Sequence, residues 1–214
     1  MDELERRAQE WFQSLGTFTG IVRTVVVLCA FATLTAVLVN FLLAQRASAV
    51  RREKRSIVAT GTMLGFFAVF ACLIRFRIGV VEVLPPTAWR ASATAGLALM
   101  VAGATVNILG RLALGTNWGD HIRIYRNHGL VTRGAYRLVR HPLYASLIWM
   151  ACGASLVFEN PLALLAALGV FLPAMAYRAR QEETALEAEF PAYAEYRRRT
   201  GMFFPKLIRT WNRK

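Results

Sequence analysis

An all-α integral membrane bundle of about five transmembrane helices is the fold class the sequence predicts. Three observations carry it. Hydrophobic residues make up 56% of the 214, above the roughly 45–50% usual in soluble domains. They gather into five apolar runs, each near the roughly 20 residues that cross a bilayer core. Charges fall between the runs, and 20 of the 26 Lys and Arg lie in three alternate segments. A formal charge of +13 in a soluble chain would suggest nucleic acid. Here the basic residues flank apolar spans, so the positive-inside rule and anionic lipid headgroups account for them. Membrane lipids are the expected surroundings and no nucleic acid is expected. The length allows one domain, 1–214.

Residues 1–20 begin with Asp2, Glu3 and Glu5, where a secretory leader needs positive charge, so none is expected. Leu4, Ala8, Trp11, Phe12 and Leu15 share one helical face, which suits an amphipathic helix on the membrane or against the bundle. Val25–Leu43 is the first span, nineteen residues without a charge, and Arg23 can snorkel at its edge. A basic loop follows, then Ile57–Ile74 as the second span. Arg75–Arg90 is a mixed loop holding Pro85 and Pro86. Ala91–Leu109 is the third span, where Gly96 and Gly103 permit close helix packing.

Arg111–His141 is polar. Leu143–Phe158 and Pro161–Tyr177 are the fourth and fifth spans, joined only by Glu159-Asn160, so an antiparallel hairpin is expected. Both are short and are expected to extend by a turn into their polar flanks. Pro173 cannot donate its helical hydrogen bond, and a kink is expected there. In the tail, Leu186, Phe190, Tyr193 and Tyr196 form one helical stripe, with a break and restart at Pro191. The three basic segments, 44–56, 110–142 and the C-terminus, are placed in the cytoplasm and the N-terminus outside. Cys29, Cys72 and Cys152 all lie in apolar spans without a CxxC pair. They read as small buried side chains, not as a disulfide framework or a zinc site.

The chemistry concentrates in His128–Tyr144, H-G-L-V-T-R-G-A-Y-R-L-V-R-H-P-L-Y. Gly129 and Gly134 allow close approach to the main chain. Pro142 biases His141 away from helix and suits a helix's first turn. A helix start offers free N–H groups and a positive dipole end to an anionic ligand group. Around it stand Arg133, Arg137, Arg140, His128, His141, Tyr136 and Tyr144. Arg178 and Glu182, four apart on one face, follow the fifth span. The hairpin brings them to the same neighbourhood. Spacing alone equally allows a plain interfacial ion pair.

Three motifs in order, G-x-Y-x-x-x-R-H-P-x-Y (Gly134–Tyr144), R-x-x-x-E-E-x-x-L (Arg178–Leu186) and F-x-x-Y-x-x-Y (Phe190–Tyr196), resemble the isoprenylcysteine carboxyl methyltransferase family. These are integral membrane enzymes that use S-adenosylmethionine. The resemblance covers about residues 105–207, and the N-terminal half is similar only in being apolar. It implies that His128, Gly129, Leu130, Val131, Tyr136, His141, Pro142, Leu143 and Tyr144 line the cofactor, with His121 as a further polar contact. It implies that Glu182 faces the cofactor and Arg178 the methyl acceptor, these two being the catalytic pair. Ser146 departs from the family, which commonly has Gly there.

The chemistry agrees with those roles. A glutamate can pair the ammonium of S-adenosylmethionine, Arg or helix-start N–H groups its carboxylate, and Tyr and His can enclose adenine. Methyl transfer to an ionised carboxylate needs in-line approach and exclusion of water, not a strong base. The expected function is methyl transfer to a lipophilic or lipidated acceptor, most simply a carboxylate. Alternatives are N-methylation of a phospholipid amine, a nicotinamide-dependent membrane reductase and a non-catalytic lipid-binding scaffold. An amine acceptor would want a carboxylate near it, and the reductase a basic cluster for a second phosphate group. No metal is expected, because His128 and His141 lack a third ligand at suitable spacing.

Overall fold

The computed structural model describes residues 16–44, 50–54, 57–81, 84–115, 122–125 and 130–206. Among them are six helices: α1 Phe18–Ala44, α2 Ile57–Arg75, α3 Pro86–Leu114, α4 Pro142–Val157, α5 Pro161–Glu189 and α6 Tyr193–Arg199. The first five match the five expected spans. Three of them, α1, α3 and α5, are long and apolar enough to cross a membrane, while α4 and the Gly61–Arg75 part of α2 are shorter. The chain is a multi-pass integral membrane protein, and α1 turns Leu28, Phe31, Leu34 and Leu38 outward, as a lipid-facing helix should.

Helix starts follow from proline. Pro86, Pro142 and Pro161 each open a helix in its first turn, where the missing N–H costs nothing. The α4–α5 turn is made by Glu159, at φ 49°, and Asn160. Asn160 caps α5 by accepting from the Ala163 N–H at 2.9 Å. Its amide also donates to the Leu73 and Ile78 carbonyls at 3.2 and 3.0 Å, which pins the turn to the end of α2. The expected extension occurs only in α5, which runs past Tyr177 to Glu189. In α4, Pro142 and the Glu159 turn stop it at both ends. The distortion expected at Pro173 lies just before it, as a π turn over Ala167–Phe171. Widened bonding there accommodates the N–H that Pro173 lacks.

Among the described elements, α3 and α4 make the most extensive contact. Gly96, Gly103 and Gly110 are spaced seven apart and face α4. A Cβ at Gly96 would lie 2.5 Å from the Gly153 carbonyl oxygen, and one at Gly103 would lie 2.8 Å from the Ser146 carbonyl oxygen. The two backbones touch, which is how membrane helices gain attraction without a hydrophobic driving force. Ser146 is fully buried here; its hydroxyl accepts from Asn107 Nδ2 at 2.7 Å and donates to the Leu143 carbonyl at 2.7 Å.

A core of Val139, Ile148, Phe171, Met175, Ala179 and Phe203 joins α4, α5 and the C-terminal segment. Phe66 of α2 stacks on Phe171 at 4.4 Å. Val139 and Ala179 adjoin Arg140 and Arg178, so this core sets the height of both. One feature was not legible in the sequence: strands β1 (Val50–Lys54) and β2 (Ile122–Tyr125) pair as an antiparallel ribbon, joining the loop after α1 to the segment after α3.

Candidate functional site

Gly134 opens a 3-10 turn, Gly134–Arg137, at φ 61°, a region that L side chains rarely adopt. A Cβ there would also lie 3.2 Å from Ala113 in α3. The chain then runs extended through Val139, which bridges to Gly201. Arg140 N–H donates to the Gly201 carbonyl at 2.8 Å, and His141 N–H to that of Met202 at 3.1 Å. The C-terminal segment thus holds Arg140 and His141 by their backbones just before Pro142 starts α4.

Two carboxylates from α5 meet this segment. Tyr144 Oη donates to Glu182 Oε1. His141 Nδ1 lies 3.5 Å from Glu182 Oε2, and Nε2 lies 3.1 Å from Glu183 Oε1. Arg178 Nε stands 3.6 Å from Glu182 Oε1, with its guanidinium 5.7 Å from the Tyr144 ring centre. The His141 and Tyr144 rings are stacked at 5.8 Å. Arg140 Nε donates to Glu183 Oε1 at 2.8 Å, and its other end to the carbonyls of Arg197 and Thr200. The hairpin therefore brings together His141, Tyr144, Arg178 and Glu182, as the sequence reading expected.

Accessibility separates the two acids. The Glu182 side chain is 23% exposed and that of Glu183 is 3% exposed. Glu182 is partly exposed, whereas Glu183 is sealed among Arg140, His141 and the Arg197 guanidinium, 3.6 Å away. Burial alone would lower the His141 pKa. Hydrogen bonds and charge from Glu182 and Glu183 outweigh it and raise it above the ordinary value. Burial raises the Tyr136 hydroxyl, with the Glu182 charge adding to the shift and Arg111 opposing it. The Tyr136 hydroxyl is therefore within reach of both charges. Its carbonyl accepts from Tyr196 Oη at 2.6 Å.

Leu130, Val131 and Leu143 are partly buried and Pro142 is buried. His121, His128 and Gly129 lie outside the described residues. Sequence reasoning missed the roles of Glu183, Gly201, Asn107 and Arg111. A signal existed for the last two, since a polar pair four apart at the end of an apolar span is unusual. Among the described residues no three His, Cys, Asp or Glu gather as a metal-holding group. A cleft of about 250 Å³ at the other end of α4 and α5 has Glu159 as its single titratable lining residue. It lacks the acids, bases and rings of the Glu182 region.

Residues 96–188 match the model of the isoprenylcysteine carboxyl methyltransferase (ICMT) family, a range that holds Tyr136, His141, Tyr144, Arg178 and Glu182. Over that range the chain is similar to the ICMT family. It is 28% identical over 144 residues to the protein-S-isoprenylcysteine O-methyltransferase of Saccharomyces cerevisiae, covering 65% of this chain and 60% of that one. It is 39% identical over 114 residues to the cobalt-zinc-cadmium resistance protein CzcN of Cupriavidus metallidurans, covering 52% and 50%. The chain thus spans between half and about three-fifths of these relatives' lengths. The solved structure of the eukaryotic intramembrane Ras methyltransferase ICMT is 22% identical, covering 71% of this chain and 53% of that one at a TM-score of 0.51. That likeness shows the ICMT fold.

Proposed function

We propose that this protein is an ICMT-type methyltransferase that uses S-adenosylmethionine to methylate a lipophilic acceptor bearing a carboxylate. The observation that carries the reading is the Glu182 carboxylate. It is partly exposed, ringed by Tyr144, His141 and Arg178, and set where α5 leaves the apolar layer. The bound cofactor would supply an electrophilic methyl on a sulfonium. The residues fit its other groups: Glu182 offers charge to an ammonium, and the stacked His141 and Tyr144 rings offer a flat wall.

Arg178 is the acceptor clamp in this reading. Its guanidinium is a planar fork matched to two carboxylate oxygens, and Tyr144 and Glu182 hold it from one side. The chain's residues position the acceptor and exclude water, and no strong base is needed. The cytoplasmic placement of this pocket is part of the proposal, as is an isoprenylcysteine-like acceptor. Relatives named as isoprenylcysteine O-methyltransferases support that acceptor; the relative named for metal resistance leaves it open.

Calorimetry in detergent together with transfer of labelled methyl to a farnesylcysteine analogue tests the reading. Glu182→Gln should weaken cofactor binding by about 1.5–3 kcal/mol, as for a lost charge-assisted hydrogen bond. Arg178→Lys should keep cofactor affinity and lose methyl transfer in kcat/KM, and Arg178→Ala should lose more. Wild-type transfer by Arg178→Ala would remove the clamp. Methylation of phosphatidylethanolamine in place of the carboxylate would favour the amine reading.

A further inference from the structure

A positive charge buried at the end of a membrane helix has an easier alternative. Arg111 lies in the last turn of α3, where a long side chain can snorkel to the headgroups. It is instead turned inward and 9% exposed. Burying a guanidinium is costly, so such residues in spans face the interior and mark functional sites by default.

A built support holds it there. Arg111 Nε donates to Asn107 Oδ1 at 2.8 Å. Asn107, fully buried, spends its amide on Ser146 Oγ at 2.7 Å. Ser146 is anchored in turn to the Leu143 carbonyl, in the first turn of α4. Two polar side chains, one from each of two helices, thus fix one guanidinium. The neighbours of Arg111 on α3 locate it against the site. Gly110 packs on Pro142 and Leu143, and Ala113 on Gly134. Arg111 therefore sits in the turn of α3 that meets both ends of the Gly134–Tyr144 stretch. The charges of Arg111 and Glu182 both act on the Tyr136 hydroxyl.

We infer that Arg111 is a ligand-binding residue which takes the carboxylate of the methyl donor's amino-acid moiety, with Asn107 and Ser146 as its positioning residues. The inference rests on the proposed use of S-adenosylmethionine. Its chemistry is complementary: the donor's amino-acid end carries an ammonium and a carboxylate. Glu182 suits the first, and the fixed guanidinium of Arg111 suits the second. Arg178 is left for the acceptor, so the two cations serve two different carboxylates.

The test compares two ligands by calorimetry on the full chain in detergent. S-adenosylhomocysteine carries the carboxylate, and 5′-methylthioadenosine lacks the whole amino-acid end. Arg111→Met should weaken S-adenosylhomocysteine about ten- to hundredfold, the range of a lost hydrogen-bonded charge, and leave methylthioadenosine unchanged. Arg111→Lys, which keeps the charge without the fork, and Asn107→Ala should show smaller losses with the same selectivity. Equal weakening of both ligands, or none, would overturn the assignment and leave Arg111 a structural cation. Wild-type protein that binds neither ligand would remove the proposed use of the cofactor, and the inference with it.

Discussion

At the scale of single residues, His141 is the most constrained group in the site. Each ring nitrogen faces a different carboxylate of α5, and its backbone N–H is fixed to Met202. Its pKa is raised in the folded state, so the sign of the pH dependence follows. The stabilisation from protonated His141 is full below its unfolded value of about 6.5 and is lost as pH rises through the higher folded value. The melting temperature in detergent should therefore fall across that window. His141→Gln should flatten the slope while lowering stability at acidic pH. Wild type and variant melting with the same pH slope would show that His141 stays neutral. The pair of acids also marks the limit of sequence reading. Glu182 was legible, because its spacing from Arg178 puts both on one face. Nothing in spacing tells that its neighbour Glu183 is the sealed acid holding Arg140, since that depends on how α5 rotates against α4.

Among elements, the α3–α4 pair and the C-terminal segment position the site, and they were legible to different degrees. Gly96 and Gly103 pointed to close packing, and the heptad they form with Gly110 faces α4 throughout. The five helices could be read because long apolar runs flanked by charge leave few alternatives. The β ribbon could not, since its strands are short and 75 residues separate Val50 from its partner Tyr125, and pairing at that range leaves no local period. Nor could the role of Gly201, whose partner is Val139. A Cβ at Gly201 would fall 1.8 Å from the Phe204 carbonyl oxygen, so the segment must shift in any variant. Gly201→Ala should lower the melting temperature and also weaken cofactor binding, because the Gly201 carbonyl fixes the Arg140 N–H. Gly96→Ala, which places its Cβ 2.5 Å from the Gly153 carbonyl oxygen, lies at the far end of the same helix pair. It should cost about 1–3 kcal/mol of stability, as overpacking does, with cofactor affinity retained in the folded fraction. Cofactor loss in Gly96→Ala equal to that in Gly201→Ala would mean that both act through global unfolding alone.

For the whole molecule, charge and contacts bear on the same question by separate routes. The charge count groups the loop after α1, the segment after α3 and the tail after α5 on one side. Contacts group the same three. The ribbon pairs the first with the second. Arg140 and His141 bind Glu183 in the α5 extension, and Arg140 also binds carbonyls of Arg197 and Thr200, which joins the second to the third. Two segments hydrogen-bonded to each other cannot lie on opposite faces of a bilayer. An even number of crossings must therefore separate them, and α2 with α3, then α4 with α5, supply two each. The remaining helix, α1, is long and apolar enough to cross as well, and five crossings would put the two ends of the bundle on opposite faces. The contacts agree with this alternation without naming the compartments. The bias of Lys and Arg predicts them, because positively charged loops favour the cytoplasm. A reporter fused after Lys214 should then read cytoplasmic and one placed before Asp2 exterior. Reporters reading in the opposite sense would leave the bundle intact and invert its orientation, moving the Glu182 site to the outer face and away from cytoplasmic S-adenosylmethionine. Both ends on one side would mean that α1 does not cross, and the five-span bundle would give way to four spans with α1 lying against them.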